Sequence, residues 1–281
     1  VFLIITHIID RLDHDSKILI MGILNVTPDS FSDGGRFTRV NIAVDHAIKM
    51  IDDGAHIIDI GGESTRPGSV PVSEDEECER ILPVIESIKK INNNITISVD
   101  TYKASVAKKA IEVGSDIVND ISGLTFDPDM IPLLSKKDIP VIIMHINGKP
   151  KTMQKNPTYN DLIKDIKSFL HHQSNIAEEN GIKNKHIILD PGIGFGKTFE
   201  HNFTLLRKLD EICSLGYPVM IGTSRKAFIG DALDLPPDDL VEGTLATIVA
   251  GIMNGAKIVR VHDVKEVNRV VKITEKIIAS A

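Results

Sequence analysis

Residues 95–122 read ITISVDTYKASVAKKAIEVGSDIVNDIS. A β-branched apolar run, Ile95–Thr101, carries Asp100 near its end. A longer amphipathic segment follows, and a second run, Ile117–Ser122, carries Asn119. Near-continuous apolarity is what a parallel strand covered on both faces requires. The unit recurs along the chain. Its runs are Ile18–Val26, His56–Gly62, Ile95–Thr101, Ile117–Ser122, Pro140–Ile146, His186–Gly192, Pro218–Ser224 and Lys257–Asp263. Eight such units in 281 residues predict an α/β fold, the (β/α)8 TIM barrel. The whole chain, 1–281, reads as one domain, with 1–17 an N-terminal edge segment and 18–281 the barrel. A doubly wound open sheet is the rival. It would use fewer strands at this length and gather its ligand at one switch point.

The intervening segments have helical period. Cys78, Ile81, Leu82, Ile85 and Ile88 share a face. Ser73 and Glu76 ahead of them have capping-box spacing, and Pro83 predicts a kink. Leu162, Ile166, Phe169, Leu170, Gln173 and Ile176 line a second helix, with Gly181 as its stop. The last helix should bury Val267, Val270, Val271, Thr274, Ile277 and Ile278.

Composition narrows the function. The chain is 42% hydrophobic and 25% charged, with formal net charge −7, so it is globular and repels polyanions. Aromatics are 4% without Trp, which argues against a base-stacking surface. Nucleic acid is therefore not an expected partner. No apolar run approaches the roughly 18 residues of a membrane helix. Phe2–Ile9 lacks the flanks of a signal peptide, and Cys78 and Cys213 read as free buried thiols, so a cytoplasmic location is expected.

Barrel chemistry sits at the C-terminal ends of strands. Each run here turns polar there: Asn25, Glu63, Asp100, Asn119, His145, Asp190, Ser224, and Arg260 with His262. Any one of these could cap the following helix. Together they predict a ring around the mouth, of which Asp100, Asn119 and Asp190 are the best examples. Carboxylates and a carboxamide suit a heterocycle edge rich in N–H groups. Lys226, just past strand seven, could reach a carbonyl or ring nitrogen, although alone it would read as a surface lysine. Arg260 and His262 alternate with Val259 and Val261, face one way, and suit a phosphate. Positive charge is thus expected at the mouth of an acidic protein. His145 fits a structural hydrogen bond as well as a site role, and His171 and His172 should be exposed.

Two long loops, Asn25–Thr38 and Gly61–Gly68, carry Asp33 and Arg66. Their Gly and Pro content suits lids better than random surface. The segment DPGIGFGKT at 190–198 resembles a nucleotide loop but misses both glycine fingerprints by one residue. It reads as a tight turn with Asp190 in the site and Phe195 as a wall.

Seven segments carry a family resemblance: MGILNVTPDSFSDGG at 21–35, GGESTRPG at 61–68, SVDTYK at 98–103, NDISG at 119–123, DPGIGFGKT at 190–198, SRK at 224–226 and VRVHDV at 259–264. In this order they resemble the dihydropteroate synthases over Met21–Val264. The resemblance implies a (β/α)8 barrel that joins 6-hydroxymethyl-7,8-dihydropterin diphosphate to 4-aminobenzoate in folate synthesis. Asp100, Asn119, Asp190, Lys226, Arg260, Met144 and Phe195 would then surround the pterin. Asn25, Arg260 and His262 would hold the diphosphate, with Asn25 near Mg²⁺, the implied cofactor. Phe31, Thr65, Arg66, Pro67 and Ser224 would form the aminobenzoate pocket, where sulfonamides mimic the substrate in this family. Asp33, Lys226, Arg260 and His262 would be catalytic. The resemblance further implies a homodimer whose partners are small-molecule substrates. One departure is local. The family commonly has Met after the strand-five His, whereas Met144 here precedes His145.

Two other functions compete. A pterin-binding methyltransferase barrel shares the ring residues but has no leaving diphosphate to use Arg260 and His262. A non-catalytic pterin-binding paralogue should lack Asp33 or Arg66, and both are present.

Overall fold

The computed structural model describes residues 17–27 and 36–280, the side chains of 36–38 excepted. The edge segment expected at the N-terminus therefore lies, up to residue 16, outside the described residues. Eight strands alternate with helices: β1 Leu19–Asn25, α1 Arg36–Asp52, β2 Ile57–Gly61, α2 Glu74–Ile91, β3 Thr96–Asp100, α3 Ala104–Glu112, β4 Ile117–Asp120, α4 Met130–Lys137, β5 Val141–Met144, α5 Leu162–Glu179, β6 Ile187–Asp190, α6 Phe199–Arg207, α7 Leu209–Cys213, β7 Met220–Ile221, α8 Ala227–Leu233, α9 Val241–Met253, β8 Ile258–Val261 and α10 Val264–Ile278.

All pairings are parallel, in the order β6-β5-β4-β3-β2-β1-β8-β7. A parallel bridge from Leu189 to Val219 joins the two ends, with the Leu189 amide donating to the Pro218 carbonyl at 2.9 Å. That bridge makes the sheet a barrel and removes the open-sheet alternative. β7 is the shortest strand and falls well inside the expected Pro218–Ser224 run.

Two apolar layers hold the barrel. The larger lies between strands and helices. The smaller fills the barrel floor with Leu19, Met21, Ile57, Ile117, Ile142, Ile188, Met220 and Ile258. Each contributes roughly 1.5–3 kcal/mol when buried. Above this floor the inward positions become polar. Register sets Asp59 beside Ser98, Asp100 beside Asn119, and Met144 beside Asp190. Inward residues lie two apart along each strand, so one step above Ile57, Ile117 and Ile188 of the floor come Asp59, Asn119 and Asp190, while Met144 above Ile142 stays apolar.

Helix ends and faces mostly follow the expected pattern, with two corrections. Ser73 caps α2 by accepting from the Glu76 amide at 3.2 Å. The reciprocal half of the box is absent, because the Glu76 carboxylate pairs with Arg80 instead. α2 runs unbroken through Pro83, its buried Cys78, Ile81, Val84, Ile85 and Ile88 pinning it to the barrel. On α10, Val267, Val271 and Thr274 are buried, but Ile277 and Ile278 are 54% and 41% exposed. α5 ends at Glu179 with Asn180 as C-cap, and Gly181 follows at φ +95°. His171 and His172 are exposed, as expected. Cys78 and Cys213 are free, Cys78 buried and Cys213 half-buried. No helix among the described residues is long and apolar enough to cross a membrane.

Candidate active site

The C-terminal strand ends bring most of the expected residues to one mouth. Arg260 of β8 lies across it, its Nε donating to Asp59 Oδ2 at 2.6 Å and its Nη2 to Asp100 Oδ2 at 2.7 Å. Asn119 of β4 donates through Nδ2 to the same Asp59 oxygen at 3.2 Å. Among the described residues, Asp59 Oδ1, Asp100 Oδ1 and Asn119 Oδ1 are buried without a partner. Buried acceptors left unmet are costly, so a donor-bearing ligand has free energy to gain here.

Asp190 is buried at the end of β6 and accepts from the Gly192 amide at 2.7 Å. Lys226, after β7, sits over the Phe195 ring, 4.6 Å from its centre, and donates to the Ile193 carbonyl. Ser224 Oγ and His262 Nδ1 are 3.0 Å apart, and Ser224 Oγ also accepts from the His262 amide at 3.2 Å. Met144 lies with Ile121, Ile146 and Met153, with Phe195 packed against the group. Asn25 is half-buried at the end of β1, in register with Gly61. Thr65 is half-buried, Arg66 and Pro67 are exposed on the loop after β2, and the Gly68 amide reaches Pro150 at 3.2 Å. Phe31 and Asp33, expected in the site, lie outside the described residues.

Burial and close charges retune these groups. Burial drives the Asp100 carboxyl up to about 7; Arg260 opposes the shift, and Asp59, Glu77 and Asp120 reinforce it. Burial also raises Asp190, against the pull of the Gly192 amide, Lys226 and Arg260. Lys226 falls to about 8 through burial, with Asp190 resisting and Arg260 assisting. Burial together with Arg260 and Arg225 lowers His262 to about 4, and the nearby Arg66 charge adds to this, so its imidazole is neutral near pH 7. Burial works against the Arg260 cation, but Asp59 and Asp100 outweigh it and raise its pKa.

The mouth is not uniformly cationic, contrary to the sequence expectation. Carboxylates from β2, β3 and β6 share the mouth with Arg260 of β8 and Lys226, which follows β7. Such polarity suits a ligand with a donor-rich ring and an anionic tail.

Two strand-end residues do other work. Glu63 turns away from the mouth. It accepts from Lys103 Nζ at 2.7 Å, Tyr102 Oη at 2.8 Å and the Val72 amide at 3.0 Å, while Lys103 also reaches Glu77 at 2.6 Å. His145 is buried with Nδ1 3.0 Å from Lys197 Nζ and its ring edge-on to Phe169, a structural role. Lys197, only 1% exposed, also donates to the Phe195 carbonyl at 3.1 Å. It anchors the 190–198 turn, whose Gly192 lies at φ +69° where a Cβ would meet the His145 carbonyl at 1.9 Å. The segment is a packed turn and not a nucleotide loop.

The sequence reading missed Asp59, Lys103 and Lys197. Asp59 had a signal: a carboxylate in the middle of an otherwise apolar run needs a buried partner. Lys103 and Lys197 had none, since an isolated lysine in a loop reads as solvated.

Fold and mouth together define the class. A family model described as pterin binding enzyme matches residues 21–262, and the chain belongs to that family. It is 53% identical over 264 residues to the dihydropteroate synthase of Bacillus subtilis, covering 94% of this chain and 90% of the relative. It superposes with TM-score 0.88 and 48% identity on the Clostridium difficile dihydropteroate synthase crystallised with pteroic acid, covering 93% of this chain and 97% of that one. The Xanthomonas albilineans dihydropteroate synthase with 4-aminobenzoic acid gives TM-score 0.88 at 38% identity, covering 95% and 94%. Within the pterin-binding enzymes the chain belongs to the dihydropteroate synthases, which are transferases of folate synthesis.

Proposed function

We propose that this chain condenses 6-hydroxymethyl-7,8-dihydropterin diphosphate with 4-aminobenzoate, giving 7,8-dihydropteroate and diphosphate. The observation that carries the reading is the polarity of the mouth. Asp100 and Asn119 carry unpartnered buried acceptors, and Arg260 of β8 and Lys226 after β7 supply the cations. The donor edge of the pterin would lie against Asp100, Asn119 and Asp190, with Met144 and Phe195 as walls. Lys226 would meet the ring carbonyl and N5. Arg260 would lie along the ring face and reach the diphosphate, with His262 and Asn25 alongside. Thr65, Arg66, Pro67, Ser224 and Phe31 would receive aminobenzoate, with Arg66 at its carboxylate.

The reaction breaks the methylene C–O bond, and the electron pair leaves with diphosphate. The pterin ring spreads the resulting positive charge, near which Asp33 would stand. The aromatic amine then attacks the methylene carbon and loses a proton. Such an amine is nucleophilic when neutral, so the site needs no strong base. Its work is to hold charge already oriented toward the leaving group.

The donor set fits Mg²⁺ of one kind. No group of three His, Cys, Asp or Glu side chains able to hold a metal occurs among the described residues. Asn25 offers one neutral oxygen. Mg²⁺ keeps most of its ligands as water and phosphate oxygens, so this set suits a cation arriving on the diphosphate. Asn25 would hold it, and it would supply charge stabilisation at the departing group.

A coupled assay tests the reading: diphosphate release should require pterin diphosphate, aminobenzoate and Mg²⁺ together. Release without aminobenzoate would mean a hydrolase, and methyl transfer in place of release would mean the methyltransferase reading. We further infer a homodimer through α9 and α10, which pack together and leave Met253, Ile273 and Ile277 exposed. Light scattering at twice the chain mass supports this, and a monomer removes it. Free thiols at Cys78 and Cys213 favour a cytoplasmic location, which cell fractionation tests.

A further inference from the structure

Asp59 is fully buried at the middle of β2 and has no role in the chemistry above. One of its oxygens, Oδ2, takes both the Arg260 Nε hydrogen bond at 2.6 Å and the Asn119 Nδ2 hydrogen bond at 3.2 Å. The second contact has a consequence for the ligand. A carboxamide can present either its oxygen or its NH₂ to a ligand, and its two ends have nearly the same shape. The Asp59 oxygen beneath it already accepts from the Arg260 guanidinium and acts there as an acceptor, so it captures the NH₂ end. The oxygen is then turned away from Asp59, and Asn119 Oδ1 is one of the buried atoms without a partner. Asp100 behaves in parallel, with Oδ2 committed to Arg260 and Oδ1 unpartnered. Asn119, and Asp100 in its ionised form, therefore offer acceptors at the place where β3 and β4 pair Asp100 with Asn119.

We propose that Asp59 is a positioning residue that fixes the orientation of the Asn119 carboxamide, so that the mouth offers acceptors and selects a ring edge bearing N–H donors, a 2-amino-4-oxo ring over its 2,4-dioxo isostere. This rests on the pterin reading above and adds the origin of its ring specificity. A site built to meet hydrogen-bonding groups rejects an isostere that leaves its buried polar atoms unpaired or opposed.

The test measures binding of 6-hydroxymethylpterin and of its 2,4-dioxo (lumazine) counterpart to wild type, Asp59→Asn and the exchange variant Asp59→Asn/Asn119→Asp. Wild type should prefer the 2-amino ring by about 100-fold or more. In Asp59→Asn the lower side chain can both donate and accept, Asn119 can turn over, and the preference should fall about tenfold. The exchange variant keeps the net charge and places an acceptor-only carboxylate at 119, so the preference should recover even though Arg260 has lost Asp59 and keeps only Asp100. A structural role for Asp59 would weaken both ligands alike. An unchanged ratio in Asp59→Asn, or an exchange variant no better than the single one, overturns the inference. Should Asp59→Asn not fold, the Asn119 side-chain NH₂ signal in ¹⁵N-labelled wild type decides. Slow hydrogen exchange with and without pterin supports the Asp59 contact, and a signal released from protection overturns it. A wild type that binds neither ring removes the pterin reading and this inference with it. A wild type that binds pterin while the ratio stays fixed removes the inference alone.

Discussion

Replacing Lys103 with Met should cost both stability and aminobenzoate affinity. Lys103 Nζ lies 2.7 Å from Glu63, 2.6 Å from Glu77 and 2.7 Å from the Val72 carbonyl. The three charged side chains are 12%, 7% and 1% exposed, so solvent screens them little. Glu63 meanwhile holds the Val72 amide, and Arg80 holds the Gly62 carbonyl at 2.6 Å. The cluster thus ties together both ends of the loop that carries Thr65, Arg66 and Pro67. Removing one partner of a buried ion pair costs about 3–5 kcal/mol. Glu63 keeps Tyr102 and the Val72 amide, which places the expectation at about 3 kcal/mol, or a fall in Tm of roughly 6–12 °C. Burial already raises the Glu77 carboxyl against the pull of Lys103, and loss of the cation raises it further. A carboxyl raised in the folded state contributes stability below its unfolded pKa and loses it as pH rises through the folded value. The deficit of Lys103→Met should therefore be larger at pH 8 than at pH 5.5. Calorimetry at both pH values measures this, and steady-state kinetics should show a raised KM for aminobenzoate with the pterin KM little changed. A deficit equal or larger at pH 5.5 would refute the electrostatic argument. A lowered Tm with an unchanged aminobenzoate KM would refute the link to the loop.

Three other outcomes follow from the site. Lys226 titrates at about 8, so kcat/KM for the pterin substrate should fall above that pH; in Lys226→Arg the alkaline limb should move beyond pH 10, and a limb that stays belongs to another group. Burial holds the Lys197 ammonium well below its usual pKa, so its contribution to stability is complete only above the unfolded value and declines as pH falls. Lys197→Met should accordingly match or exceed wild type in Tm at pH 7 while raising the pterin KM through a loosened Phe195, and a loss above about 3 kcal/mol would show that a charged lysine is required. Gly192→Ala should lose more than about 3 kcal/mol in urea denaturation, because its Cβ would collide with the His145 carbonyl at a positive φ, and a near-neutral result would mean that the turn moves freely.

The residues singled out by strand-end position divide by a physical rule. Asp100, Asn119, Asp190 and Arg260 lie on strands whose apolar runs leave no doubt about which alternate positions face inward, and they meet at the mouth. Glu63 follows two glycines, Gly61 and Gly62, after the pleat has ended. Its side chain is no longer bound to strand alternation, and it finds Lys103 between the loop and α2. Asp59 is the converse. It has the inward parity of its strand but lies one step below the mouth, inside a run that reads as core.

Periodicity is a local property, so the chain itself determined the eight units, their parallel arrangement and the faces that most helices bury. The motifs at 21–35, 61–68 and 190–198 also determined the family. Closure through Leu189 and Val219 was decided only in three dimensions, because it joins strands by pairing rather than by pattern. So were the partners of the buried charges. Asp59 and Arg260 are 201 residues apart in sequence, and Lys103 and Glu63 are 40 apart. A charge enters a protein interior only with its counter-charge, and no local signal along the chain says where that counter-charge will be.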